Sequence, residues 1–463
     1  MIFGLHVPRP GPPGWLAILV LCLMTMDVRA DLWRTGYYPG WEQAGMPAAT
    51  IDFTALTHLV HFSVVPNTDG SLNDSANRLV PANSADVVAR AHTAGVKVLV
   101  CVGGSDSEAG FQGAASPGNL PAFINNITNF ISARGYDGVD LDWEALPVTD
   151  AAEYTNLVIA LHAALRGMAQ PKLLTAAVSA YPVYGDPPAA EYQMFAGLQN
   201  CFDQINIMTY DFSGPYQGWV TWFNSPIYDG GFHFPSSSGL VPSVDGAVGN
   251  FLTYGMAPGR LGIGIAFYGY VWTGGTGVSS TSLTQPRQGW TTAPITATYP
   301  YTGLMTAFYQ TNSYHWDATA QAAYLSLTNA NPESNAFVSY DDARTCQAKV
   351  SYARNHSLGG VMMWELAGDH TPNQPDPLLQ AVKLALATPG PTNILPRGND
   401  ISLTFTSISL GIYQVQWSSN LASGFWTPLL TTNVTGLGGA LQIIDFGARS
   451  NQPGRFYRIQ TPP

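Results

Sequence analysis

Tyr136-Asp137-Gly138-Val139-Asp140-Leu141-Asp142-Trp143-Glu144 alternates acidic and apolar residues with a period of two, the repeat of a β-strand. One face carries Asp140, Asp142 and Glu144, the other Val139, Leu141 and Trp143, and same-face neighbours stand roughly 6.5–7 Å apart. The apolar set has to pack against covering helices, which leaves three carboxyls inside a closed sheet, stepping toward its C-terminal mouth. Like charges at such range raise at least one carboxyl pKa, and burial raises it further. One group near Asp140 and Asp142 should therefore hold a proton at neutral pH while its partner carries the charge. Glu144, nearest the rim, is placed to give a proton to a leaving oxygen, the acid-catalysed half of glycosidic-bond cleavage. Asp137 has the opposite parity and reads as a turn-stabilising structural residue. The flanking residues are too apolar for a surface acidic run. A hard cation could use the same oxygens, but no His or further carboxylate cluster follows nearby, so no metal and no cofactor is expected.

The strand candidates along the chain are Leu32–Tyr38, His58–Val64, Lys97–Val102, Gly138–Trp143, Leu173–Ala180, Gln204–Tyr210, Leu261–Phe267 and Gly360–Trp364. Several are almost continuously apolar, as strands covered on both faces should be. Helical patterns lie between them at Ser84–Ala94, Leu120–Arg134, Asp150–Met168, Ala189–Leu198, Val244–Tyr254 and Asp341–Asn355, with Leu378–Ala387 as a final helix. Asp150 and Glu153 have the spacing of a capping box. Eight strands alternating with helices predict an α/β fold, a (β/α)8 TIM barrel over residues 31–387, with an open doubly wound sheet as the alternative. About residues 273–337, rich in Thr, Tyr and Gly, exceed one helix and predict a small inserted subdomain between strands 7 and 8. Residues 388–397 open with Thr388-Pro389-Gly390-Pro391-Thr392, a linker signal. Residues 398–463, with short strand-like runs separated by Gly, Asn and Ser, predict a small all-β C-terminal domain of sandwich type, a spacer or glycan-binding module.

Composition narrows the partners. Only 11% of the 463 residues are charged, against 12% aromatic, and the net charge is −11. Such a surface suits neutral, ring-shaped ligands and excludes nucleic acid and anionic membranes, which are held chiefly by Lys and Arg. Trp15 to Met24 is an apolar run too short to span a bilayer, and Val28-Arg29-Ala30 fits a small-x-small cleavage site, so residues 1–30 read as a signal peptide and the chain as secreted, extracellular or periplasmic. Past the leader stand Cys101, Cys201 and Cys346, an odd number and no disulfide framework; Cys201 and Cys346 read as buried small apolar residues, with one bridge between them as the alternative.

Asp137-x-x-Asp140-x-Asp142-x-Glu144 resembles the DxxDxDxE signature of glycoside hydrolase family 18, the chitinase family. Gly36-Tyr37-Tyr38 resembles that family's first strand, Leu56-Thr57-His58 its second, Met208-Thr209-Tyr210-Asp211 the MxYD motif of its sixth, Phe267-Tyr268-Gly269 its seventh and Gly359-Gly360-Val361-Met362-Met363-Trp364-Glu365 its eighth. The resemblance covers about Leu32 to Ala387 and implies that the subdomain inserted between strands 7 and 8 is α+β. It implies retaining, substrate-assisted hydrolysis of β-1,4-linked N-acetylglucosamine polymers, the recognised exception to two-carboxylate catalysis. Glu144 would be the acid and Asp142 the residue holding the acetamido N–H, with Asp140 sharing its proton. Tyr210 would position the acetamido oxygen, and Trp364 would be the floor beneath the reacting sugar. Asp211, Met208, Tyr37 and Tyr268 are expected in the cleft. The loop 213–228 offers Tyr216, Trp219, Trp222 and Phe223 for neighbouring sugars or for covering the barrel edge, with Trp219 the first choice. The partner is then a polysaccharide or oligosaccharide and the protein a monomer.

The chain departs from that pattern in several places. Cys101 stands for the usual Ser of SxGG, Ser105 for a common Trp after the glycines, Ala145 for an aromatic after the acid, Tyr270 for a common Arg and Ser63 for an aromatic on the second strand. These changes bear on chain length and linkage preference more than on reaction class. An endo-β-N-acetylglucosaminidase acting on N-glycans would use the same constellation, and a non-catalytic chitin-binding lectin would keep the cleft. The intact acid Glu144 with Asp142 and Tyr210 argues against the lectin.

Overall fold

A computed structural model of the chain describes residues 3–6, 19–21, 32–182, 188–277, 283–372, 376–386, 391–407, 411–420, 424–436, 439–450 and 455–460. Eight parallel strands form the central sheet: Trp33–Pro39, His58–Pro66, Lys97–Gly104, Gly138–Trp143, Leu173–Ser179, Gln204–Met208, Leu261–Ala266 and Gly360–Trp364. Each pairs with the next, and the eighth pairs with the first, so the sheet closes into a barrel. Helices Pro81–Thr93, Leu120–Arg134, Ala151–Arg166, Pro188–Leu198, Val244–Thr253 and Ala343–Asn355 fall between the strands, and Pro377–Leu386 follows the last. This is the expected (β/α)8 barrel.

Local chemistry explains the element ends. Leu120–Arg134 buries Phe123, Ile124, Ile127 and Ile131 at helical spacing and stops at Gly135, whose φ of 74° few other residues tolerate. The capping box at Asp150 does not form. A 3-10 turn, Val148–Asp150, runs into helix Ala151–Arg166, and the Asp150 carboxylate instead accepts from Gln112 Nε2 at 2.8 Å.

The insertion begins earlier and ends later than its composition suggested. Tyr268–Thr273 is the second strand of a five-stranded antiparallel sheet in the order Ile295–Pro300, Tyr268–Thr273, Ala336–Tyr340, Ala322–Leu327, Tyr314–Asp317. Helix Tyr301–Ala307 packs on it through buried Leu304, beside Val271, Leu325 and Val338. The barrel strand ends at Ala266, and the chain passes through Phe267 straight into this second sheet, with no turn signal to mark the change.

The chain divides into two compact units, one of residues 31–341 and 352–379, the other of residues 1–30, 342–351 and 380–463. Within the second, Asn393–Arg397, Asp400–Thr406 and Ala440–Asp445 form one antiparallel sheet, and Ile412–Ser418 with Arg455–Gln460 forms the core of another. Ile401, Leu403 and Phe405 from the first pack with Tyr413, Val415, Tyr457 and Ile459 from the second. Of the predicted linker, 388–390 lie outside the described residues, while Asn393–Arg397 is a strand and not a spacer. Of the predicted leader, only Phe3–His6 and Leu19–Leu21 are described. They pair with each other, and Phe3–His6 also pairs beside Arg455–Gln460. No helix among the described residues is long and apolar enough to cross a membrane.

Candidate active site

The fourth barrel strand resolves its two faces as the alternation requires. Val139, Leu141 and Trp143 are buried in the layer between sheet and helices, where the Trp143 indole lies flat on Phe111 with centroids 4.6 Å apart and meets the edge of Tyr154. That packing turns Asp140 and Asp142 into the barrel, both almost wholly buried, and brings Glu144 out at the strand's C-terminal end. Ser107 clamps the exit, its Oγ accepting from Glu144 N at 3.2 Å, while Glu108 N donates to Glu144 O at 3.0 Å. Gly103 on the third strand makes room: at φ +116°, a Cβ there would fall 2.0 Å from Asp142 O. Asp137 points the other way, as expected of a structural residue. It accepts from Val98 N at 2.9 Å and His92 Nε2 at 2.8 Å, and these bonds outweigh burial and hold its carboxyl below the usual range.

The three inner carboxyls divide into two groups. Asp140 accepts from Thr175 Oγ1 at 2.5 Å and Tyr37 Oη at 2.8 Å, so both its oxygens are occupied by donors from the fifth and first strands. Burial lifts its pKa to about 6 against the pull of those bonds. Asp142 is hydrogen-bonded to Glu144, and its Oδ1 is buried without a partner. Burial, then the charges of Glu144 and Asp140, push Asp142 well above the usual carboxyl range. Glu144 is raised too, first by burial and then by Asp211 and Asp106, with the Asp142 bond working the other way. Asp142 and Glu144 are thus the inner carboxyls that contact each other directly. Asp140, expected to share a proton with Asp142, acts on it through its charge, while its own oxygens accept from Thr175 and Tyr37.

A cavity of about 340 Å³ opens at this end of the barrel, lined by Asp142, Glu144, Tyr37, Met208, Tyr210, Asp211 and Trp364 among others. The Trp364 ring is held between Tyr37, at 5.6 Å, and Phe62, edge-on at 4.7 Å. Tyr210 is buried, its hydroxyl 3.8 Å from Met362 Sδ, and burial pushes its pKa far up, so it is a neutral donor at any working pH. Asp211 adopts a left-handed backbone (φ 60°), its N–H on Asn224 Oδ1 at 2.8 Å. Its Oδ1 accepts from Tyr268 Oη at 2.6 Å and Tyr270 Oη at 2.9 Å, so Tyr268 stands behind Asp211 instead of on the cavity wall. Tyr270 thus fills the place of a cation with a neutral donor, and burial raises Asp211 despite both phenols.

Trp219 is not brought to the cavity. It packs on Phe234 at 4.6 Å and Tyr216 at 5.0 Å, and Trp222 and Phe223 are fully buried with Trp272 and Phe337 beneath the insertion. Spacing along that loop cannot tell exposed rings from those that seal the insertion. Conversely, Trp41, Phe62, Asn77 and Ala177 line the cavity, and Thr175 supports it, without having been singled out. Thr175 and Ala177 share one parity on the fifth strand, and Trp41 follows the end of the first, where barrel sites are built. Among the described residues no group of three or more His, Cys, Asp or Glu could hold a metal ion, and no disulfide joins Cys201 and Cys346.

Comparison with known proteins agrees with this geometry. Residues 34–369 match the family described as Glycosyl hydrolases family 18. Chitinase A1 of Niallia circulans is 32% identical over 304 residues, 59% of this chain and 41% of that protein, so the chain spans about two fifths of that relative's length. Chitotriosidase-1 of Mus musculus is 27% identical over 441 residues, covering 86% of this chain and 88% of its own. The crystal structure of Ostrinia furnacalis Group IV chitinase in complex with allosamidin superposes with a TM-score of 0.65 over 77% of this chain and 99% of that one, at 24% identity, a likeness of fold. With a closed barrel, Glu144 at the mouth of its fourth strand and this match, the chain belongs to glycosyl hydrolases family 18.

Proposed function

We propose that the protein hydrolyses β-1,4-linked N-acetylglucosamine polymers, chitin and its oligomers, with retention at the anomeric carbon and the substrate's own acetamido group as nucleophile. The observation that carries this reading is the Asp142–Glu144 pair, hydrogen-bonded and raised in pKa, at a cavity that also holds Tyr210 and Trp364. Glu144 gives its proton to the glycosidic oxygen as the C–O bond breaks, and the acetamido carbonyl oxygen closes on the anomeric carbon to form an oxazolinium ion. Asp142 accepts from the acetamido N–H and balances the developing charge, a preorganised electrostatic effect. Tyr210 donates to the acetamido oxygen and holds it in line. Trp364 supports the ring face. Water then opens the oxazolinium, giving up its proton to Glu144, which is restored as the acid. The chitinase names of Niallia circulans and Ostrinia furnacalis relatives support the substrate class.

The test is Glu144→Gln. Oligomer binding should persist while turnover falls by about 10²–10⁴-fold, the usual contribution of a general acid; near-normal turnover would remove Glu144 from its role. Fully deacetylated oligomers, which lack the internal nucleophile, should bind and stay intact. Digesting chitin oligomers beside a high-mannose glycoprotein separates this substrate class from N-glycan cleavage.

A further inference from the structure

Trp41, Asn77 and Ser105 reach the cavity from the loops that follow the first, second and third barrel strands. Trp41 is 37% exposed, its ring set edge-on against Phe62 at 5.6 Å. Asn77 has no part in the mechanism above, yet its amide is fixed more closely than a surface loop requires.

The fixing runs through Ser63, which is fully buried. Its hydroxyl donates to Gly103 O at 2.8 Å, so its oxygen has only acceptor capacity left, and Asn77 Nδ2 donates into it at 2.7 Å. This order of donors settles which way the amide faces: the NH2 is turned to the wall. Among the described residues no donor reaches Asn77 Oδ1, and that oxygen is not among the buried polar atoms left without partners. It is therefore open to solvent on a residue that lines the cavity. The loop is held around it. Ser75 and Ala76 N–H both donate to Asn73 Oδ1 at 3.1 Å, and Leu79 N donates to Asp74 O at 2.9 Å. Arg134 ties both ends, donating to Leu79 O at 2.9 Å and pairing with Asp74. A Cβ on Gly40 would lie 2.1 Å from Asn77 O, so the loop packs directly on the segment that carries Trp41.

We propose that Asn77 is a specificity-determining residue, its Oδ1 accepting a hydrogen bond from a hydroxyl or acetamido N–H of a sugar whose ring lies against Trp41. This rests on reading the cavity as a cleft for N-acetylglucosamine polymers. A preset acceptor loses little entropy on binding and favours neutral donors; an anionic ligand would meet it, and the nearby carboxyls, with repulsion. One neutral hydrogen bond of this kind is worth about a two- to tenfold change in Kd.

The experiment measures binding of the N-acetylglucosamine tetramer by calorimetry to Glu144→Gln, and to that variant carrying Asn77→Ala or Ser63→Ala, alongside steady-state hydrolysis by the single Asn77→Ala variant. The result expected is a loss of about two- to tenfold in Kd for Asn77→Ala, a smaller loss for Ser63→Ala, which keeps the acceptor, and a matching rise in KM. An unchanged Kd, equal losses from both substitutions, or a defect confined to kcat would overturn the assignment. Wild-type protein that leaves the tetramer uncut while Asn77-dependent binding persists would sink hydrolysis and leave the role of Asn77 standing.

Discussion

Cys101, on the third strand opposite Asp140, lies within the field of all three inner carboxyls. Its thiol is fully buried, and among the charges that raise its pKa, after burial itself, Asp142 comes first. Asp142 Oδ1 meanwhile has no partner, a costly state for a buried acceptor. A serine hydroxyl is a stronger donor than a thiol. Cys101→Ser should supply a bond to Asp142, favour its carboxylate form and lower its pKa, so the acid limb of the kcat/KM–pH profile moves to lower pH. An unmoved limb would mean that the thiol is only filling space. Asp211 acts on the same pair from the other side. Its charge raises Glu144, and the two phenols beside it cannot neutralise it as a cation would. Asp211→Asn should therefore lower the pKa of Glu144 and draw the basic limb down in pH, beyond whatever it costs in rate; a pH–rate profile that keeps its basic limb in place would refute the coupling.

The fourth strand, paired on both sides, also carries an aromatic stack on its outer face. Phe111, on helix Glu108–Ala114, is fully buried against Trp143, and the two rings are 7° from parallel. Phe111→Ala should cost about 3–5 kcal/mol of unfolding free energy, the range for emptying a buried aromatic site, and Phe111→Leu distinctly less; urea titration of both measures it. This face was legible in the sequence because Val139, Leu141 and Trp143 have nowhere to go but under helices. Several other barrel strands were legible because they are almost continuously apolar. What escaped was decided by tertiary contact. Asp150 lost its capping role to a side-chain bond with Gln112, and Tyr268 left the barrel for a second sheet without any turn residue to announce it. Trp222 and Phe223 became core of the insertion because a sheet forms over them. Glu144, Asp142 and Tyr210 could be named from the motif; Asn77, placed by its bond to Ser63 and by the packing of its loop on Gly40, could not.

Across the whole molecule, buried titratable groups set opposing pH dependences of stability. Burial lifts Asp140 from 3.8 to about 6 and Glu365 from 4.5 to about 7, and each contributes stability that is complete below its unfolded pKa and lost as pH rises through the folded value. Burial lowers His58 from 6.5 to about 4 and His61 from 6.5 to about 3, and these gain stability as pH rises toward the unfolded value and nothing beyond it. The histidines offset only part of the carboxyls' loss between about pH 4 and 6, because Asp142 and Asp369 are raised as well, and above about 6.5 only the carboxyls still respond, so the melting temperature should fall toward pH 8. Glu365 isolates one carboxyl's share. It lies outside the cavity, and its carboxylate accepts from Ala367 N at 2.9 Å, a bond that a glutamine carbonyl reproduces. Glu365→Gln removes only the cost of charging a buried acid, so it should match the wild type below about pH 4.5 and exceed it above pH 7 by up to about 3 kcal/mol. An offset that stays constant from pH 4 to 8 would trace the effect to packing, and the ionisation of Glu365 would drop out of the balance.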